Sequence, residues 1–195
     1  KIKTIMKLLF ATNNSNKLKE VQAKLPHFEI VSLKELGVTE DIPETGNTLE
    51  ENALIKARYL YEKFNLNCFA DDTGLEIEAL DNEPGVFSAR YAGEEKSAES
   101  NMAKVLEKLE GKTNRKARFR TAIALIADGK ETVIEGVVNG EILTKKTGTE
   151  GFGYDPIFKA NGFDISFAEM DMETKNRISH RGLAVDKLVD ALKNK

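Results

Sequence analysis

Apolar residues recur along this chain in two rhythms, short continuous runs and stripes at helical spacing, and their alternation predicts an α/β fold. Residues 8–11 form a short apolar strand that ends in the polar turn Thr12-Asn13-Asn14-Ser15-Asn16-Lys17. Leu18, Val21 and Leu25 then recur at the spacing of a helix before Pro26, and residues 28–32 read as a second strand. Thr48 is placed to cap a long helix whose Leu49, Ala53, Ala57, Leu60 and Phe64 make one apolar stripe. Residues 68–70 are a strand that runs into Asp71-Asp72 and is expected to reverse at Thr73-Gly74, with residues 75–80 as its partner. Met102, Val105, Leu106 and Leu109 mark another helix, closed by Gly111. The clearest hairpin joins residues 117–127 to residues 131–138 through Asp128-Gly129. Leu183, Leu188, Val189 and Leu192 give a last helix. Strands and helices alternate early and a hairpin intervenes late, so the sheet is expected to be mixed.

Composition narrows the class. The chain has 195 residues, enough for one large domain or two interlocked lobes, and no repeat, low-complexity tract or linker marks a boundary. Charged residues are 31% and hydrophobic ones 41%, the balance of a soluble globular protein. A formal net charge of −3 argues against a broad nucleic-acid-binding surface, though it allows a local cationic pocket. Cys68 is the only cysteine, which excludes an intrachain disulfide and a cysteine-rich metal site. No apolar run reaches the length of a membrane span, and the Lys-rich start lacks the apolar core of a signal peptide, so a cytoplasmic location is expected. Residues 1–5 precede Met6 and are read as an extension without function.

Candidate chemistry centres on Ala70-Asp71-Asp72-Thr73-Gly74. Adjacent carboxylates repel unless a cation, a donor or water compensates them, and a divalent metal would do so while recruiting a phosphorylated substrate. A plain polar turn is the competing reading. The Asn- and Ser-rich turn at residues 12–17 gathers backbone N–H groups, polar side chains and Lys17 at a helix start, which suits an anion. Simple N-capping by Asn14 or Ser15, with Lys17 solvated, explains it too. No P-loop pattern occurs. Glu44 lies in the loop before the long helix, where Asn52 and Lys56 share a face, and it could swing toward Asp72 to share a magnesium ion. A polar loop beside a surface helix is the alternative. Gly151-Phe152-Gly153-Tyr154-Asp155-Pro156 combines close backbone approach with two aromatic faces for a planar base, or else a tight turn with aromatics in the core. Ser179-His180-Arg181-Gly182 opens the last helix with a donor beside a planar cation, or with a capped start and a surface cation; His27, the other histidine, suggests nothing.

These blocks occur in order, together with Glu44-Thr45-Gly46, Glu51-Asn52-Ala53 and Pro84-Gly85-Val86-Phe87-Ser88-Ala89-Arg90-Tyr91. The ordered set resembles the inosine triphosphate pyrophosphatase family, the dITP/XTP diphosphatases that cleanse the nucleotide pool, over residues 8–192. The resemblance implies one domain of two lobes around a central cleft, with a long mixed β-sheet flanked by helices, in a homodimer. It also implies hydrolysis of ITP, dITP and XTP to the monophosphate and pyrophosphate with Mg2+, for which Mn2+ substitutes. Nucleic acid and membrane are not expected partners.

Carried over by position, Thr12, Asn13, Asn14, Ser15, Asn16 and Lys17 hold the triphosphate with help from Lys56. Asp72 is the proton acceptor and a metal ligand, Glu44 a further ligand, and Thr73 a substrate contact. Phe152, Gly153, Tyr154, Asp155, Lys175, His180 and Arg181 surround the base and sugar. Two departures from the common pattern, Asn14 in the first turn and Thr73 where Ser is frequent, both keep a polar group. Chemistry alone leaves the base as either Asp71 or Asp72; the choice of Asp72 comes from the resemblance. Two other readings fit the same motifs, a pyrophosphatase for modified or pyrimidine nucleotides and a nucleotide-binding module without catalysis. The carboxylates weigh against the second, because a binder gains nothing from acids beside a triphosphate unless a metal is present.

Overall fold

The computed structural model describes residues 5–194; the extension read at residues 1–5 lies outside the described residues except for the exposed Ile5. The elements follow in the order β1 (Met6–Phe10), α1 (Ser15–Lys24), β2 (Phe28–Ser32), α2 (Leu49–Phe64), β3 (Cys68–Ile77), β4 (Glu83–Pro84), α3 (Ala98–Lys108), β5 (Lys116–Ala127), β6 (Lys130–Ile142), β7 (Phe158–Ala160), α4 (Met172–Ile178) and α5 (His180–Lys193). Among the described residues seven strands make one sheet in the order β2-β1-β3-β5-β6-β7, with β4 added on β3. β1 runs parallel to β2 and β3, whereas β4 and β7 pair antiparallel, so the sheet is mixed as the alternation predicts.

Local chemistry explains most boundaries. The Asn14 side chain accepts the N–H groups of Asn16 and Lys17 and so caps α1. Thr48 accepts the N–H of Glu51 at the start of α2, which carries Glu50 and Glu51 in its first turn and Lys63 in its last, matching the helix dipole. Asn65, in the left-handed region at φ 49°, ends that helix. Asp128 (φ 52°) and Gly129 (φ 77°) both take positive φ between β5 and β6, the backbone that a two-residue hairpin turn demands.

The acid pair departs from the sequence reading. β3 does not reverse at Thr73-Gly74 but continues to Ile77, and its partner is the two-residue β4, with Glu76 opposite Pro84 and Ile77 opposite Glu83. The reversal comes later, through a short 3₁₀ turn at Glu78–Leu80 followed by Asp81 and Asn82 at positive φ. Asp71 and Asp72 can stay inside the strand because cationic and amide groups from other elements reach them there.

The described chain divides into two compact units. The first contains residues up to Asp72, Thr121–Gly136 and the segment from Arg181 onward; the second contains Thr73–Arg120 and Val137–His180. Each has its own core. In the first, Leu8, Phe10, Phe69, Ile123, Leu125 and Leu188 pack together, and the rings of Phe10 and Phe69 stack at 4.3 Å. Leu8, Leu9 and Phe10 are all buried, so β1 reads as a continuous apolar run instead of an alternating one. In the second, Phe119, Tyr154, Ile157, Phe158 and Phe167 form the centre, with Phe119 tilted against Phe158 at 4.5 Å. Cys68 lies wholly buried in β3, where its thiol donates to the Ala57 carbonyl and burial pushes its pKa up to about 12, an inert packing position.

Candidate active site

In the first unit, three elements converge on the acid pair of β3. From α1, Lys17 Nζ reaches Asp71 Oδ1 at 3.1 Å. From the start of α5, Arg181 Nε donates to Asp71 Oδ2 at 3.1 Å while its Nη1 pairs with Glu20 at 2.5 Å. From α2, Lys56 Nζ donates to the Asp71 carbonyl at 2.5 Å and to Glu44 Oε1 at 3.2 Å. Asp72 is met instead by a neutral amide, Asn52 Nδ2 on Oδ2 at 3.1 Å. The stripe of α2 explains this delivery. Leu49, Ala53, Ala57 and Leu60 bury the helix, and Asn52 and Lys56, one turn apart beside that stripe, are buried with it.

The two carboxylates therefore differ in acidity. Burial alone would raise Asp71, but Lys17, Arg181 and Lys56 outweigh it and hold the carboxyl far below the usual range. Burial pushes Asp72 up to about 6, helped by the like charge of Glu44 and opposed by Lys56, Lys17 and the Asn52 hydrogen bond. Burial lowers Lys17 despite the pull of Asp71, and the charges of Lys56 and Arg181 lower it further. Lys56 shows the opposite balance: burial would lower it, yet Glu44, Asp72 and Asp71 hold it above its ordinary value.

The turn before α1 is both a cap and an open cradle. Thr12 is buried and its Oγ1 accepts the Asn14 N–H at 3.0 Å, whereas residues 13–16 are exposed. N-capping by Asn14 is thus present, but Lys17 is not merely solvated, since its ammonium faces Asp71. Thr73 follows in β3 and is half-buried.

The second unit gathers the later motif residues. Asp155 Oδ2 accepts the Phe152 N–H at 3.0 Å and pairs with Lys175 Nζ at 2.6 Å, both partners of that pair being buried. Gly151 sits at φ +70°, where a side chain would collide with the Asp155 carboxylate, so the loop needs glycine there. Lys175 Nζ lies 4.9 Å from the centre of the half-buried Phe152 ring. Gly153 presents open backbone at φ +62°. Tyr154 is not a free aromatic face: its ring belongs to the core and its hydroxyl donates to the Ser88 carbonyl at 2.6 Å. His180 is buried and stacks on Phe119 at 4.5 Å. Arg181, grouped with the base and sugar in the sequence reading, bonds to Asp71 and Glu20 in the first unit.

A sequence profile of the Ham1 family matches residues 8–191. This chain belongs to the Ham1 family. The chain is 54% identical over 188 residues to the dITP/XTP pyrophosphatase of Flavobacterium johnsoniae, spanning 96% of this chain and 98% of that protein. It is 55% identical over 188 residues to the dITP/XTP pyrophosphatase of Porphyromonas gingivalis, spanning 95% and 97%. Among solved structures, the Ham1 protein of Staphylococcus aureus superposes with a TM-score of 0.88 at 41% identity, over 96% of this chain and 98% of that one. The HAM1 protein of Coxiella burnetii gives 0.89 at 41% identity, over 97% and 100%. The Ham1 fold is therefore the fold of this chain, and the resemblance read from the ordered motifs stands.

Sequence reasoning passed over two members of this Ham1 site. Glu20 carries the far side of the Arg181 pair, and its signal was present in the spacing, since Lys17 and Glu20 are three apart on one face of α1. Asn52 was visible only as a face-mate of Lys56. Its contact with Asp72 spans 20 positions of chain, which no local pattern reveals.

Proposed function

We propose that this protein hydrolyses the non-standard purine nucleotides ITP, dITP and XTP to the nucleoside monophosphate and pyrophosphate. The relatives named above carry the name dITP/XTP pyrophosphatase. The observation that carries the proposal is the unequal treatment of the two aspartates. Asp71 gives its oxygens to Lys17 and Arg181, while Asp72 faces an amide and is pushed by burial up to about 6, close to the range in which a carboxylate takes a proton readily. That difference supports Asp72 in the choice that chemistry alone leaves open.

In this mechanism Asp72 orients a water and accepts its proton as the water oxygen bonds to phosphorus and the bond to the pyrophosphate leaving group breaks. Lys17, fixed by Asp71, and the exposed polar turn of residues 13–16 at the N-terminus of α1 hold the anionic chain, lowering the repulsion against the incoming water. Glu44 and Asp72 fit a magnesium ion. Burial and then the like charge of Glu44 raise the pKa of Asp72, a repulsion that a cation would relieve, and both donors are hard oxygens. Two carboxylates leave the remaining positions of such an ion to water and substrate phosphates. The chemistry such a cation supplies is neutralisation of charge on the departing pyrophosphate.

In the second unit, the Phe152 face, with the Lys175 ammonium held beside it by Asp155, offers a stacking surface and a donor for a 6-oxopurine. A cytoplasmic homodimer completes the proposal, and sedimentation velocity at micromolar protein tests the oligomer. The chemical test is Asp72→Asn, which should fold normally and lose about 10²–10⁴-fold in kcat with ITP, the usual cost of a general base. A folded Asp72→Asn protein with wild-type kcat would overturn the assignment.

A further inference from the structure

Asn52 is buried to 1% exposure on α2, in contact with the site but with no part in the chemistry described above. Its side-chain oxygen accepts the N–H of Gly46 at 2.7 Å, and its side-chain nitrogen donates to Asp72 Oδ2 at 3.1 Å. The two partners fix which way the amide faces, because an N–H needs an acceptor and a carboxylate needs a donor. Gly46 lies two residues after Glu44, so one side chain is bonded both to the loop that carries Glu44 and to Asp72 itself. The loop is fitted closely to this amide: a Cβ at Gly46 would come within 2.7 Å of both Asn52 Oδ1 and Glu51 Cβ.

A neutral amide is the chemically apt partner here. An ammonium or guanidinium in its place would form an ion pair with Asp72 and suppress its basicity, as Lys17 and Arg181 do to Asp71. A hydroxyl has only one donor hydrogen and a shorter reach. An aliphatic residue would leave the half-buried Gly46 N–H and one oxygen of buried Asp72 without these partners.

We infer that Asn52 is a positioning residue that sets Asp72 and the Glu44 loop in one geometry for the reacting water and a shared divalent cation. The inference rests on the reading of Asp72 as the base and of Glu44 and Asp72 as the cation's carboxylates, and it assigns the residue that holds them.

Two substitutions separate the two hydrogen bonds. Asn52→Asp keeps an acceptor for Gly46 but loses the donor to Asp72 and adds a like charge. Asn52→Leu removes both bonds at similar volume. Each is compared with wild type and Asp72→Asn for kcat and KM with ITP at saturating Mg2+. Mn2+ affinity is measured by electron paramagnetic resonance with an α,β-imido analogue of ITP, and melting temperature is recorded throughout. Partners that orient ligand groups are typically worth about 10–100-fold in metal affinity or activity. The expected result is a kcat lowered by at least about tenfold in both variants with KM within twofold, and Mn2+ affinity lowered about tenfold in Asn52→Leu. If Asn52→Leu does not fold, Asn52→Asp decides alone. A kcat within twofold of wild type in a folded Asn52→Asp protein overturns the inference. So does a loss confined to melting temperature and KM. An active Asp72→Asn protein overturns the reading beneath it, whereas inactive Asp72→Asn beside fully active Asn52 variants overturns only the positioning role.

Discussion

Asp71 and Asp72 are neighbours in one strand with opposite surroundings, and the difference makes a prediction about stability as well as about rate. Asp71 is the anion that half-buried Lys17 and buried Arg181 share, so Asp71→Asn takes from both cations the carboxylate that they pair with. Removing one member of a buried ionic cluster commonly costs about 3 kcal/mol or more. Asp72 carries its charge against burial and against Glu44, so neutralising it should leave stability within about 1 kcal/mol of wild type or raise it. Urea unfolding of the two Asn variants side by side checks this. Equal losses would mean that the cations do not distinguish the two aspartates. The residue chemistry identified both acids as the centre without ranking them, and only the family resemblance chose Asp72, because the ranking depends on Lys17, Arg181 and Lys56, which come from α1, α5 and α2. Their convergence is a property of the fold and not of any local spacing.

At the scale of elements, what was legible follows from periodicity and caps. Thr48, the α2 stripe and the Asp128-Gly129 turn all lie where the apolar and polar pattern puts them. The turn gives a clean test, since Gly129 at φ +77° has only the Tyr61 hydroxyl, at 3.7 Å, near a would-be Cβ. Gly129→Ala should therefore cost about 1 kcal/mol through backbone strain alone, with kcat unchanged. An urea midpoint equal to wild type would show that the turn relaxes to another type. Less legible was β3, whose Thr73-Gly74 looked like a turn. Gly74 is not among the positive-φ glycines, and the reversal was displaced to Asp81-Asn82, two residues that also tolerate the left-handed region. The three-residue β7 and the seven-residue α4 are too short to show a period, so Lys175 reached its position on α4 without an element to announce it.

At the scale of the molecule, the boundary between the two units falls inside β3, β5 and β6, which is why no linker or change of composition marks it. Each unit holds its own apolar core, and no metal cluster supports either among the described residues. On the magnesium proposal chelation should abolish turnover, and because each unit has its own core it should leave the circular dichroism spectrum and melting temperature of the nucleotide-free protein unchanged. Full turnover after exhaustive chelation, or unfolding on chelation, would contradict the magnesium proposal. The choice of base is the property on which the proposed function finally turns. Inosine and xanthosine offer an acceptor at C6, which Lys175 and the backbone amides of the 152–155 loop are chemically suited to meet. Adenosine offers an amino donor there, and donors buried against a donor are costly. Guanosine keeps the C6 acceptor, so its 2-amino group must meet a steric or donor barrier that a bare C2 or a 2-oxo group avoids. Sites that read hydrogen bonds discriminate by up to about 10⁴–10⁵-fold, and a conservative share of that range is about a hundredfold advantage in kcat/KM for ITP and XTP over ATP and GTP. Lys175→Gln should lower the efficiency with ITP more than the trace efficiency with ATP, measured by pyrophosphate release. Equal efficiency on all four triphosphates would remove the base-reading role from this loop even if Asp72 proved to be the catalytic base.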